Sequence, residues 1–500
     1  MNAFLTQSPT LAALAAHTKV LSITGSAEVP VTGLSCDSRS AEPGNLFFAL
    51  AGSRENGGSF VHAATERGAI GVVADQELEG LSIPLVRVPA AREAMADIAN
   101  AFYNFPSSSL AVAGVTGTNG KTTTAWIIRH LCERVGRACG LIGTIEYVLP
   151  GIIEKASHTT PESLDLERLL AQMRDGGFRA ASLEVSSHAL VQQRVRGVEF
   201  DAAIFTNLTQ DHLDYHGTMD EYFEAKSHFF TMLAGQTRKK GRAIVNSDDR
   251  YGRRLLDRIG SHPVITYGQG SNCNFRASDI HYSSVGTVFR LDAKGRSYLV
   301  RTPLIGLFNV YNTLAAVAAV ASMGLELRRV VAAAATIPQV PGRVQRVPGH
   351  RNFQAYVDYA HTPDALENIL KVLRQLTPAR LITVFGCGGD RDRSKRPLMA
   401  AAAEQYADRV IITSDNPRSE DPLAIIRDAE TGLRGSSHEV YVDRESAIRR
   451  AVELAGQNDI ILVAGKGHEN YQESAIGRTP FDDVSVTARA MAEKPFTEVR

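Results

Sequence analysis

The chain of 500 residues carries 54 basic and 54 acidic side chains, for a formal charge of zero, and 44% of its residues are hydrophobic. At roughly 150 residues per domain this length suggests about three domains, with enough apolar content for several cores and no stretch disordered by composition. Balanced charge argues against a duplex-binding protein, which presents a net basic face, and the tight basic cluster Arg238-Lys239-Lys240 reads as a solvated run in a surface loop.

Five scattered cysteines (Cys36, Cys132, Cys139, Cys273, Cys387) form no CxxC pair, so free thiols in a reducing compartment are expected rather than a zinc site or a disulfide framework. Met1 to Val20 has neither a basic n-region nor a long apolar core, and apolar runs such as Leu314 to Ser322 fall short of the ~18 residues that span a bilayer. A soluble, cytoplasmic protein is expected.

Along the chain, residues 1–107 mix short alternating segments with turns at Asp37-Ser38-Arg39, Pro43-Gly44-Asn45 and Gly57-Gly58, and Asn104 to Ser109 reads as a linker. From Leu110 the pattern becomes α/β. Leu110 to Val115 is an apolar run that feeds a glycine-rich turn and a helix from Lys121. Further strands are predicted at Ala181–Val185, Ala202–Phe205 and Ala243–Val245, and an alanine-rich helix at Asn312–Met323. The segment Ile337 to Arg343, with two prolines and a glycine, breaks the pattern. Beyond it, strands at Ala355–Val357, Leu381–Phe385, Val410–Thr413 and Ile460–Val463 alternate with helices at Asp364–Gln375, Pro397–Ala407, Pro422–Leu433 and Arg444–Ala455. That alternation predicts a doubly wound, Rossmann-like sheet that binds ligands beyond its strands' carboxyl ends. The expected architecture is α/β in three parts, 1–107, 108–338 and 339–500, the central part having a mostly parallel sheet.

The segment Gly114-Val-Thr-Gly-Thr-Asn-Gly-Lys-Thr-Thr123 follows the strand from Leu110. Glycines let backbone N–H groups close on phosphate oxygens, and the helix N-terminus adds partial positive charge. Lys121 would pair with the β/γ-phosphates and the Thr122 hydroxyl would hold Mg²⁺. The strict phosphate-loop pattern has four residues between its glycines, whereas Gly114 and Gly120 are separated by five. A plain glycine turn is the alternative, and the order strand, loop, Gly-Lys-Thr, helix argues against it.

The loop Thr116 to Thr122 resembles the ATP loop of the Mur ligase family, which includes folylpolyglutamate synthetases. The resemblance runs from Asp37 to Glu469. It implies ATP contacts at Gly117, Thr118, Asn119, Gly120, Lys121, Thr122, Thr123, Asn309, Arg343 and His361. It also implies two Mg²⁺ ions, with Thr122, Glu184, His212 and a carbamoylated Lys226 as ligands and Lys121, Lys226, Glu184 and His212 as the catalytic set. By residue type alone, a Glu or His at a strand end is ordinarily structural and Lys226 a solvated helix lysine. The resemblance places UDP and muramoyl-peptide contacts at Ser38, Ser53, Arg54, Glu55, Thr159, Thr160, Ser186, Gln192 and Arg194. His158 stands where some relatives carry Asn.

Asp415-Asn416-Pro417-Arg418 is similar to the signature of family members that add meso-diaminopimelate rather than L-lysine, and Arg391, Gly465 and Glu469 match further contacts of that amino acid. An arginine fork suits the extra carboxylate, although the same four residues also make a plausible turn after a strand. The implied activity is ATP-dependent addition of meso-diaminopimelate to UDP-MurNAc-L-Ala-D-Glu through an acyl-phosphate, in peptidoglycan synthesis. It needs small-molecule substrates and neither nucleic acid nor membrane insertion. The alternatives are a lysine-adding ligase, a folate-type polyglutamate ligase and, from another class, a motor or transport ATPase.

Overall fold

The computed structural model describes residues 8–51, 57–349, 352–435 and 438–495. Three main sheets follow one another along the chain. The first has five strands in the order Ser22–Thr24, Leu85–Arg87, Gly71–Ala74, Asn45–Ala49, Gly33–Ser35, parallel except at the Ser22–Thr24 edge. Its strands are three to five residues long.

The central sheet has eleven strands. Its middle is parallel, in the order Val264–Gly268, Arg242–Asn246, Ala202–Phe205, Ala111–Thr116, Ala180–Glu184, Cys139–Ile142. Antiparallel strands Glu146–Leu149 and Ile152–Lys155 extend one edge, and on the other Phe275–Ser283, itself parallel to Val264–Gly268, is followed by antiparallel Gly286–Ala293 and Arg296–Thr302. The parallel strands read as continuous apolar runs because helices cover both their faces. The alanine-rich helix Leu307–Ser322 packs on the phosphate-loop helix Lys121–Arg134 through residues that are almost all buried.

The third sheet runs Gln345–Arg346, Gln354–Asp358, Ile460–Ala464, Leu381–Phe385, Arg409–Thr413, His438–Tyr441, parallel apart from its first strand. Its helices Pro363–Leu376, Lys395–Tyr406, Pro422–Glu430 and Arg444–Leu454 begin and end within two or three residues of the expected positions. Thr362 caps the first of them, with Pro363 opening its first turn, where a missing N–H costs nothing. The doubly wound reading holds, and the carboxyl ends of these strands face the central domain.

Two expectations fail at the first junction. Asn104 to Ser109 is not a loose linker: Asn104 and Phe105 adopt left-handed backbone, Pro106–Ser109 is a 3₁₀ turn, and Pro106 and Ser107 are buried. Nor is Lys239 solvated. Its ammonium donates to Asp201 at 2.6 Å and to the Leu110 carbonyl, while the Arg238 guanidinium lies 3.6 Å from the Phe105 ring centre. The cluster fastens the junction, as do Arg174 with the Tyr103 and Asn104 carbonyls and Arg196 with Glu93 and Asp97. Between the two domains Glu167 is wholly buried beside Asn100 and Gly197, and neither of its carboxyl oxygens meets a protein donor among the described residues. Burial pushes its pKa up to about 8.

Candidate active site

Gly114 lies inside the strand Ala111–Thr116 rather than in the loop, and a Cβ there would come within 2.6 Å of the Phe200 and Phe229 rings. The unusual spacing is thereby explained: Gly114 serves packing, and the loop's own glycines are Gly117 and Gly120. Both have positive φ, 147° and 86°, and a Cβ would strike the Thr206 hydroxyl at 1.9 Å or the Asn312 amide oxygen at 2.4 Å. Only glycine fits. Thr206 and Asn207 accept and donate around the Asn119 backbone, and Thr118 donates to the Thr209 carbonyl, so the loop is held before any phosphate arrives. Thr123 is buried one residue along the helix.

Lys121 curls back over this loop, donating to the Gly117 and Thr118 carbonyls at 2.9 and 2.8 Å. Burial lowers its pKa, with Glu184 opposing. Lys226 is not a surface lysine. It is 1% exposed on the helix Met219–Ala234, which a Thr218–Glu221 capping box opens, and its Nζ donates to the same Gly117 carbonyl at 2.9 Å. Burial first, then the charge of Lys121, holds its pKa well below the ordinary range. Two amines on one oxygen disfavour two ammonium charges.

Glu184, fully buried at its strand end, accepts from the Thr122 hydroxyl at 2.9 Å and from the Thr144 N–H and hydroxyl at 2.8 and 3.1 Å. Arg343 reaches across from the third domain to donate to the Thr122 oxygen at 3.2 Å. His212, in left-handed backbone, opens a short helix beside Asp211 and His188. Burial brings its pKa down to about 4, so the ring is neutral. Among the described residues no three His, Cys, Asp or Glu side chains converge as a ready-made metal cage. Thr122 and Glu184 nonetheless place hard oxygen donors side by side at the loop, which suits Mg²⁺ shared with substrate phosphates.

Next to Glu184 sit the residues expected to take the peptide. Thr160 donates to the Glu184 carbonyl at 2.8 Å and accepts from the Ser186 N–H, and Thr159 meets Thr144 at 3.1 Å. Arg194 ties Gln192, the Thr160 carbonyl and Glu162 together. Ser38 lies apart on the first domain, in a turn capped by Asp37. Ser53, Arg54 and Glu55 fall outside the described residues.

A cleft of about 460 Å³ opens between the central and third domains. From the central domain it is lined by His188, Asp211 and His212, and from the third by His361, Arg391, Lys395, Asp415, Asn416, Arg418, Gly465 and Glu469. His361, whose pKa burial lowers, bonds the Tyr359 carbonyl through Nδ1 at 2.8 Å. Pro417 accepts the Glu420 N–H at its carbonyl and is not among the residues lining the cleft. Asn309 is buried behind the loop, bonded to Ile305 and Asn312. Asn119 and Asp364 join the two domains directly at 3.2 Å. Asp211, Lys395 and Asp364 line this cleft without having been singled out by sequence, where each is one polar residue among many.

The central segment 115–320 matches the Mur ligase middle domain, 342–467 the glutamate ligase domain and 30–103 the catalytic domain model of the family. A UDP-N-acetylmuramoyl-L-alanyl-D-glutamate--2,6-diaminopimelate ligase of Geobacillus thermodenitrificans is 46% identical over 93% of this chain and 95% of its own. Its namesake from Solibacter usitatus is 45% identical over 93% and 94%. A solved structure of an enzyme with that name superposes with a TM-score of 0.70 at 34% identity, covering 97% of this chain and 99% of the other. Mycobacterium tuberculosis folylpolyglutamate synthase shares the fold at 18% identity and a TM-score of 0.62, over 81% and 96%. With the phosphate loop, the buried lysine pair and the interdomain cleft in place, and with relatives this similar along nearly its whole length, the chain belongs to the Mur ligase family.

Proposed function

We propose that the chain is an ATP-dependent ligase joining meso-diaminopimelate to the D-glutamate γ-carboxyl of UDP-N-acetylmuramoyl-L-alanyl-D-glutamate, a cytoplasmic step of peptidoglycan synthesis. The observation that carries this reading is one cleft in which Asp415, Asn416, Arg418, Gly465 and Glu469 face His212 and His361, with the phosphate loop adjoining it through the Asn119–Asp364 bond. Relatives bearing this name at 46% and 45% identity support it. The three sheets, within residues 22–87, 111–302 and 345–464, support boundaries near 107 and 338.

In the first step a γ-carboxylate oxygen attacks the γ-phosphorus of ATP, and the bond to ADP breaks. In the second, the diaminopimelate amine attacks the acyl carbon and loses a proton, and the tetrahedral intermediate expels phosphate. Lys121 and the loop amides up to Thr123 neutralise the phosphates, so the protein contributes mainly position and charge. Arg343, Asn309 and His361 complete the ATP site from the far side, and domain contact excludes water from the acyl-phosphate. Thr159, Thr160, Ser186, Gln192 and Arg194 hold the peptide next to Glu184, with Ser38 and the 53–55 segment on the UDP end. Mg²⁺, two ions in this reading, would be held by Thr122, Glu184, His212 and modified Lys226, and when bound supplies charge neutralisation at the phosphates.

Lys226 is suited to become that fourth ligand. A depressed pKa supplies the neutral amine, which attacks CO₂, forms an N–C bond and releases one proton to leave a carbamate. The carbamate then places an anion, rather than a second cation, beside Lys121 at the Gly117 carbonyl. The overall reading is tested by ADP release from purified protein. Release should require the muramoyl dipeptide and diaminopimelate together, and equal release with lysine, or with a folate substrate, overturns it.

A further inference from the structure

Behind the amino-acid wall of the cleft lies a lysine that does not itself line the cleft. Lys466 is fully buried, and its ammonium donates to the Asn416 amide oxygen at 3.0 Å and to Glu469 Oε2 at 3.2 Å. Asn416 Nδ2 donates to the same Glu469 oxygen at 2.7 Å, and the Glu473 N–H donates to the Asn416 oxygen at 2.9 Å. With two donors on its oxygen and one acceptor at its nitrogen, the Asn416 amide has one satisfied orientation. Glu469 Oε2 is likewise taken by two donors, while the side chain lines the cleft. We propose that Lys466 is a positioning and specificity-determining residue. It pins Asn416 and Glu469 so that Glu469 offers its Oε1 to the incoming amino acid, and it cancels the one carboxylate by which the wall would otherwise be negative.

The charge argument follows from the wall's composition and rests on the diaminopimelate reading above. From the third domain the cleft is lined by four carboxylates, Asp364, Asp392, Asp415 and Glu469, against the three cations Arg391, Lys395 and Arg418, and Arg418 is already 3.4 Å from Glu473. Diaminopimelate brings two ammonium and two carboxylate groups and is neutral, whereas lysine brings one positive charge in excess. A wall balanced by Lys466 suits the neutral ligand. Removing the buried cation leaves an unopposed carboxylate and shifts the preference toward lysine. A methionine would fill the same space at lower desolvation cost, so packing alone gives no reason for an ammonium here.

The test compares wild type with Lys466→Met and Glu469→Gln. Hydrogen bonds to charged groups contribute enough that Lys466→Met should raise KM for diaminopimelate roughly 10- to 100-fold. KM for ATP and for the muramoyl dipeptide should stay within about twofold, and the diaminopimelate-to-lysine ratio of kcat/KM should fall by about tenfold or more. Glu469→Gln leaves the cation unopposed and should move that ratio the opposite way, which a structural role would not do. Parallel losses for both amino acids, or equal increases in all three KM values, overturn the proposal. If Lys466→Met does not melt cooperatively, the direction of the Glu469→Gln shift decides alone. A wild type that uses lysine but not diaminopimelate overturns the parent reading only, and Lys466 is then judged by whether Lys466→Met raises KM for lysine selectively.

Discussion

Arg418→Ala tests the proposal that this residue reads the second carboxylate of diaminopimelate. The guanidinium is fixed before ligand arrives: NH1 donates to the Gly389 carbonyl at 2.6 Å, Nε lies 3.4 Å from Glu473, and the backbone N–H bonds the Glu473 carbonyl at 3.0 Å. Truncating one partner of a desolvated charge pair costs about 2–5 kcal/mol. The Arg418 side chain is 25% exposed and shares its charge with Glu473, which places the expected cost near the lower end. A loss of about 2–3 kcal/mol corresponds to a roughly 30- to 150-fold fall in kcat/KM for diaminopimelate. Lysine, which lacks the carboxylate, should lose less than about threefold. Since residue 418 has a φ of 52°, alanine inherits the same backbone strain as arginine, and the comparison isolates the side chain. Arg418→Lys should recover part of the loss, a point charge replacing a fork. Steady-state kinetics with both amino acids decide the matter, and equal losses would refute the carboxylate-reading role.

Lys226→Ala should abolish ligation while leaving a folded protein, with formate restoring part of the activity as a stand-in anion; wild-type rates in the variant would return Lys226 to an ordinary role. Arg444→Ala should destabilise the protein by about 3–5 kcal/mol in denaturant titration, because it orphans the buried Asp483 and releases the Ser414 and Ala464 carbonyls that Arg444 holds. Glu167 keeps its proton in the folded state up to about pH 8, whereas the unfolded chain loses it near the ordinary 4.5. Stability should therefore fall as pH rises through that window, and Glu167→Gln should melt higher above pH 8 by up to about 5 kcal/mol while matching wild type to within about 1 kcal/mol at pH 5. A pH-independent difference between the two proteins would refute the buried-carboxyl account.

The parallel strands were legible because burial on both faces writes an uninterrupted apolar run: Ala202–Phe205 and Leu381–Phe385 have the bounds their residues suggest. The short strands of the first domain left no such trace. The extension from Phe275 to Thr302 was missed although Phe275–Ser283 alternates in burial, since a strand with one solvated face mixes polar and apolar residues much as a loop does. In the site, glycine chemistry made the phosphate loop readable, but the role of Gly114 was not, because it depends on Phe200 and Phe229 arriving from distant elements. The same holds for Lys226 and Lys239, whose burial is decided by packing that no local spacing encodes. Arg418 and Glu469 were visible through their motif, whereas Lys466, between them in role, has no signature beyond being a lysine.

The fastened junction at residues 104–109 changes how the molecule can move. Buried Pro106 and Ser107, the Arg238–Phe105 stack and the Lys239 anchor hold it closely, while Arg343, the Asn119–Asp364 and Lys155–Asn470 bonds and the packing of Ile305 and Phe308 in the third domain's core tie the second junction. These contacts tie the first and central domains into one frame. Under the proposed function such a frame would work as a ruler: a substrate gripped at one end by the first domain would have its other end delivered at a fixed reach from Lys121, and acceptors one residue too short or too long would miss the phosphate.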